Sequence, residues 1–178
     1  LATIKSNLLE PLQAMMASLV YPPVYVVYLS VPKGRTDGFG FLIPSVEKYN
    51  IMGALFNDTI FTHRAMGDQA LISVLLGGDH HHEMMNWSDA RVIDVAKEDI
   101  IKTLGLSLAE ITGVHLVRWP QSIPQYYVGH KEKVNAMERL CSQHKGLYMT
   151  GNSWYGIGIN DCTQSSYNLV DTIKDARK

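Results

Sequence analysis

Apolar residues along this chain recur at two different spacings. Leu8, Leu9, Leu12, Met15, Met16 and Leu19 follow helical intervals. Pro11 either interrupts that helix or opens it in its first turn. After Pro22-Pro23 the run VYVVYLSV (24–31) is β-branched and aromatic and predicts a strand. KGRTDG (33–38) is turn chemistry and FGFLIP (39–44) a second strand, so the pair predicts an antiparallel hairpin. IMGALFN (51–57) and ALISVLLGG (70–78) predict a third and a fourth strand, the latter ended by Gly77-Gly78. Four strands on short links favour an antiparallel or mixed sheet over strict alternation of strand and helix.

The spacing then changes. Val92, Ile93, Ala96, Ile100 and Leu104 form one helical stripe, with Ser88 or Asp89 as the cap and Lys102 and Gly105 suited to the far end. VHLVRW (114–119) is another strand candidate, broken by WPQSIP. A helix is expected from about Glu132 to His144, with Val134, Met137 and Cys141 inward, then a short strand, LYMTGN (147–152), and a last helix from about Asp161 to Ala176. No internal repeat or low-complexity tract interrupts this order.

The 178 residues suit one domain, or one domain with part of another. A formal net charge of −1 and the lack of a basic stripe give no nucleic-acid signal. Apolar runs break well short of the about 20 residues a membrane helix needs. Cys141 and Cys162, widely separated, are expected as two reduced thiols. The opening LATIKSNLLEPL has neither Met nor a basic segment before an apolar core, so a piece of a longer protein is expected rather than a signal peptide.

Two stretches carry candidate chemistry. DHHHEMMNW (79–87) invites a metal reading, but adjacent histidines on a looped backbone point in different directions, and a solvated loop with no metal is expected. GNSWYGIGINDC (151–162) places Gly151, Gly156 and Gly158 between an apolar run and the start of a helix. Exposed N–H groups and the positive end of a helix dipole suit a polar or anionic ligand there. Gly156 and Gly158 would let a flat or phosphorylated group reach the main chain. The usual G-x-G-x-x-G dinucleotide fingerprint is absent, so such a site would be half of one.

SIPQYYVGH (122–130) and GLYMTGNSWYGIGINDC (146–162), together with GFGFLIPSVEKYNIMGALFNDTIFTHRA (38–65) and LISVLLGG (71–78), resemble in order the C-terminal part of the oxygen-dependent, FAD-containing protoporphyrinogen oxidases. The resemblance implies an α/β (α+β) chain. It would have a mixed or antiparallel substrate-domain sheet with helices, plus the closing strand-turn-helix of a discontinuous, Rossmann-like FAD-binding domain of the p-hydroxybenzoate-hydroxylase type. Residues 1–110 would be the later part of the substrate domain and 111–178 the last FAD segment, the N-terminal FAD fold and the membrane-binding helices lying outside this chain.

The implied activity is oxidation of protoporphyrinogen IX to protoporphyrin IX in haem synthesis, with FAD and molecular oxygen as acceptors and hydrogen peroxide released. By position, Ile157, Gly158 and Ile159 match residues against the flavin, with Gly156 beside them and Trp119 a further candidate flavin neighbour. Phe61 and Leu42 match residues that pack on the macrocycle. Hydride transfer to the flavin needs no side-chain nucleophile, so no catalytic residue is expected. Thr62 stands where the family commonly has Pro, and neither Arg64 nor Arg35 is assigned to the substrate propionates. His130 is expected to cap or brace the turn before the helix at 132, and Cys162 to be a small buried helix residue.

The resemblance further implies a parent protein that is membrane-associated and homodimeric. Its expected location is the mitochondrial inner membrane in a eukaryote, and the cytoplasm or its membrane in a bacterium. Another flavin amine oxidase or desaturase, or a non-catalytic remnant, stays open as the alternative. The fragment alone is expected to be inactive, with an exposed surface where the rest of the fold would pack.

Overall fold

In the computed structural model the described residues are 10–61, 63–65, 67–79 and 81–176. They form two units: Pro22–Ser122, and a second built from the flanks, up to Tyr21 and from Ile123 onward. The units part at two points in the chain, after Tyr21 and after Ser122. Residues 113–119 belong to the sheet because they pair along it, and the first helix belongs with the flank after Ile123 because Leu12 packs with Met137, Cys141 and Trp154.

The inner unit is a five-stranded sheet, wholly antiparallel. Its strands are β1 (Val24–Pro32), β2 (Gly40–Leu42), β3 (Ile51–Phe56), β4 (Gln69–Gly77) and β5 (Gly113–Trp119), in the order β2-β3-β4-β1-β5. β1 is central. It pairs with β4 from Val24↔Gly77 to Pro32↔Gln69 and with β5 from Val24↔Trp119 to Ser30↔Gly113. The expected β1–β2 hairpin does not form; β2 pairs with β3 instead. Both edges of the long, alternately buried β1 are taken by β4 and β5, which leaves the short β2 at the sheet's margin. A one-turn helix, α2 (Asn57–Ile60), follows β3.

Alternation along the strands divides the sheet into two faces. On one face Tyr25, Val27, Leu29 and Val31 meet Ile72, Val74 and Leu76, all buried, under α3 (Asp89–Leu104). Val92, Ala96 and Ile100 of α3, one turn apart, are fully enclosed against them. Val92 and Ile100 each contribute about 1.5–3 kcal/mol by burial, and the Ala96 methyl about 0.8. Ser88 Oγ accepts the Arg91 N–H (3.3 Å), and Gly105, with φ +63°, ends the helix in the left-handed conformation. Asp99 takes the N–H groups of Asn50 (2.8 Å) and Ile51 (3.2 Å), tying α3 to the start of β3. Arg118 of β5 pairs with Asp89 at 2.6 Å and donates to the Trp87 carbonyl.

The flanking unit holds α1 (Glu10–Ala17), α4 (His130–Ser142) and α5 (Ile159–Asp175). Pro11 lies in the first turn of α1, where its missing N–H costs nothing. The small core is Leu12, Met137, Cys141 and Trp154, flanked by Met15, Met16, Leu19, Val134, Leu147 and Met149. An antiparallel bridge joins Val20 to Gln125. The strand expected at 147–152 is not formed; the segment has no strand partner among the described residues and runs into the bend at Gly151. α5 has no fully buried residue.

Candidate functional site

Residues 151–158 form a compact bend between α4 and α5. Two of its glycines, Gly151 and Gly156, have φ of +109° and +114°. Trp154 anchors the bend, its indole buried in the small core. Beyond it Ile157 and Ile159 stand out; Ile159 is 86% exposed at the first position of α5. A groove of about 740 Å³ runs beside them, lined by Asn152, Ile157, Ile159, Cys162, Thr163, Ser166, Tyr167 and Val170. The first closed turn of α5 is Cys162 N–H to Gly158 C=O (3.0 Å), so the N–H groups of Ile159, Asn160 and Asp161 have no acceptor upstream within the helix.

The structure gives Gly156 and Gly158 a reason inside the chain. A Cβ on Gly156 would lie 2.6 Å from Asp161 Cβ, and one on Gly158 2.9 Å from Asp161 Oδ2. The carboxylate of Asp161 folds back over the bend and accepts the Gly158 N–H at 3.2 Å. The helix end thus carries its own negative charge, and the groups left for an outside ligand are the remaining first-turn N–H groups and the two isoleucine side chains. Asp161 was not singled out by sequence reasoning, although an acid in the first turn of a helix is a familiar capping signal.

Two residues of the preceding segment grip the same bend. The Tyr126 hydroxyl accepts the Gly156 N–H (3.0 Å) and donates to the Asn152 carbonyl. The His130 ring stacks on Tyr126, centroids 3.7 Å apart and planes 9° from parallel, and its Nε2 lies 3.2 Å from the Trp154 carbonyl. Burial lifts the Tyr126 phenol above its ordinary value, against the opposing pull of the Gly156 N–H. His130 thus braces a bend, as expected, but the bend after α4 rather than the turn before it. Cys162, expected to be buried, is only half-buried, because α5 encloses none of its residues; its Sγ lies 3.6 Å from the Gly156 carbonyl. The Cys141 thiol is pushed up by burial and then by Glu138, which lowers its thiolate fraction.

In the sheet unit, strand register puts Leu42, Leu55, Leu75, Val26, Tyr28, Val117 and Trp119 on the face opposite α3. Leu42 is 82% exposed, and Phe61, directly after α2, is also exposed. Arg64 lies with its guanidinium 5.6 Å from the Phe61 ring centroid. Ser73, buried on this face, accepts a hydrogen bond from Asn57 Nδ2 (2.5 Å). Trp119 closes β5 opposite Val24, half-exposed, in this unit and not in the one bearing Ile157. Thr62 and His80 lie outside the described residues. Among the described residues there is no cluster of metal-binding side chains; His81 and His82 pair with Glu83 and Asp79.

The model of the family described as flavin containing amine oxidoreductase matches residues 1–173. The chain belongs to this family. Among flavin-containing amine oxidoreductases and their relatives, it is 26% identical, over 96% of its length, to the chloroplastic protoporphyrinogen oxidase of Nicotiana tabacum, and 29% identical to protoporphyrinogen oxidase 1 of Spinacia oleracea over 97%. It is 31% identical to the coproporphyrinogen III oxidase of Bacillus subtilis, over 76% of the chain. It spans only 34%, 34% and 30% of those three proteins.

The fold is shared with a crystal structure from Exiguobacterium sp. 255-15, described as a candidate protoporphyrinogen oxidase (TM-score 0.75, 22% identity, 90% of this chain and 36% of that one). It is also shared with reduced UDP-galactopyranose mutase (TM-score 0.66, 11% identity, 93% and 36%). Relatives carry chloroplastic, mitochondrial and bacterial assignments. No described helix is long and apolar enough to cross a membrane.

FAD is the cofactor the family implies. The residues present fit one edge of its ring system: an open groove, two isoleucine side chains, and first-turn amides without a helix acceptor.

Proposed function

We propose that this chain is the substrate floor and flavin-facing end of an oxygen-dependent porphyrinogen oxidase, converting protoporphyrinogen IX to protoporphyrin IX with release of hydrogen peroxide. The observation that carries the reading is the pair of exposed side chains, Ile157 and Ile159, either side of Gly158 at the start of α5, beside an open groove. Ile157 and Ile159 would flank the isoalloxazine with apolar surface while the α5 amides meet its polar edge. FAD, when bound, supplies the electron acceptor that no side chain here could provide.

The chain's own contribution is shape. Leu42 and Phe61 would hold a large apolar macrocycle and exclude water, with the sheet face of Leu55, Leu75 and Val26 as further apolar surface. No general acid or base is required of them. Substrate, oxygen dependence, homodimer formation and membrane attachment belong to the whole protein and to this same proposal.

The test uses the full-length protein with FAD, protoporphyrinogen IX and oxygen, followed by porphyrin fluorescence; a rate no higher than autoxidation refutes the reading. A second reading is favoured by the 31% identity to the Bacillus subtilis enzyme: the substrate is coproporphyrinogen III, which carries more carboxylates. Comparing kcat/KM for the two porphyrinogens decides between them.

A further inference from the structure

We infer that Tyr126 and His130 are positioning residues for the flavin: a stacked pair that fixes the main chain immediately ahead of Ile157–Gly158–Ile159. The inference rests on the flavin reading above. Within the bend, the backbone bonds are from Trp154 N–H and Tyr155 N–H, both to the Gly151 carbonyl. The Asn152 and Trp154 carbonyls and the Gly156 N–H turn instead to side chains. Tyr126 Oη bridges the Asn152 carbonyl and the Gly156 N–H, and His130 Nε2 faces the Trp154 carbonyl at 3.2 Å.

A carbonyl only accepts, so His130 carries its proton on Nε2. Parallel stacking of the two rings holds both donors in one orientation. The clamp therefore sets where residue 156 ends and where 157 begins. Since glycine at φ +114° has wide freedom, the bend relies on these side-chain bonds for its shape. A shift of the amide at 157–159 would alter contact with the flavin's polar edge while the helices stay folded.

Tyr126→Phe and His130→Phe each keep the ring stack and remove the polar contact. In the full-length protein, each is expected to weaken FAD binding about tenfold and to shift the bound flavin's visible spectrum and reduction potential. In Tyr126→Phe the Gly156 amide should also exchange with solvent faster. Ile100→Ala, which opens a cavity in the core of the sheet unit and removes no contact of the bend, should lower stability and leave the flavin spectrum and potential unchanged.

Unchanged Gly156 exchange in Tyr126→Phe overturns the clamp. Faster exchange with an unchanged flavin spectrum, potential and affinity overturns the positioning role while leaving the flavin reading intact. A full-length wild-type protein that binds no FAD sinks the flavin reading itself, and the inference with it.

Discussion

Replacing Gly156 with alanine tests the geometry of the bend most directly. At φ +114° an L-residue is strained, which costs on the order of 1–3 kcal/mol. The new methyl group would also sit 2.6 Å from Asp161 Cβ and 2.7 Å from its Cγ, where real carbons do not approach. Relieving that overlap costs about 1–3 kcal/mol more. Gly151→Ala supplies the control, because φ is +109° but nothing lies within 4 Å of the added atom. The difference between the two variants should thus be about 1–3 kcal/mol, a factor of roughly 5–150 in an opening equilibrium. The assay is amide hydrogen exchange across α4 and the start of α5, read at residues 134–141 and 162–166. Pairing Gly156→Ala with Asp161→Gly should recover part of the loss beyond additivity. Equal effects of Gly156→Ala and Gly151→Ala, with no coupling to Asp161, would refute the contact between side chain and bend.

Glu110 is held below its ordinary 4.5 by the Ser107 N–H and hydroxyl, then by Arg35 at 2.9 Å. Because the folded value is depressed, its contribution is present above 4.5 and is lost as pH falls through the folded value. Glu110→Gln should flatten the acid limb of urea-denaturation midpoints plotted against pH. Burial, and then the 2.9 Å bond to Glu138, push the Tyr155 phenol up to about 12. Ultraviolet titration of its phenolate should move to lower pH in Glu138→Gln; an unmoved midpoint removes Glu138 as a cause. In the sheet unit, Ile72→Ala should cost about 2–5 kcal/mol in denaturant unfolding, since Ile72 is fully enclosed, whereas Leu42→Ala should stay within about 0.5. If Leu42 faces the macrocycle, the second variant should nevertheless weaken porphyrin binding in the full-length protein by about tenfold, measured by fluorescence titration.

Some of this was readable in advance. β1 and β4 announce themselves by β-branched runs bounded by Pro and Gly, and α3 by its stripe, its Ser88 cap and its Gly105 stop. Pairing was not readable in the same way. KGRTDG favours a local hairpin, but which strands adjoin is decided by how many neighbours a long buried strand can take, and β1 takes β4 and β5. α2 was missed because its four residues, Asn57–Ile60, are too few to show a helical stripe. In the candidate site, the glycine run was legible as a bend. That Asp161 fills the space its glycines leave, and that Tyr126 stacks on His130, depend on chain segments meeting in three dimensions. One-dimensional spacing carries no such information about the approach of 126–130 to 151–158.

The sheet is threaded into the helical unit as an insert. Its two ends leave side by side: Ser122 N–H bonds to the Pro22 carbonyl at 3.1 Å, and just beyond, Gln125 N–H bonds to the Val20 carbonyl at 2.9 Å. Ribosomal synthesis therefore completes the helical unit last, after the whole insert has emerged, and its small core must wait for the returning chain. Paired exits of this kind also make the insert exchangeable. Splicing a short turn between Tyr21 and Ile123 would leave the helical partners their contacts, and an unrelated sheet could be grafted at the same two points to carry a different guest.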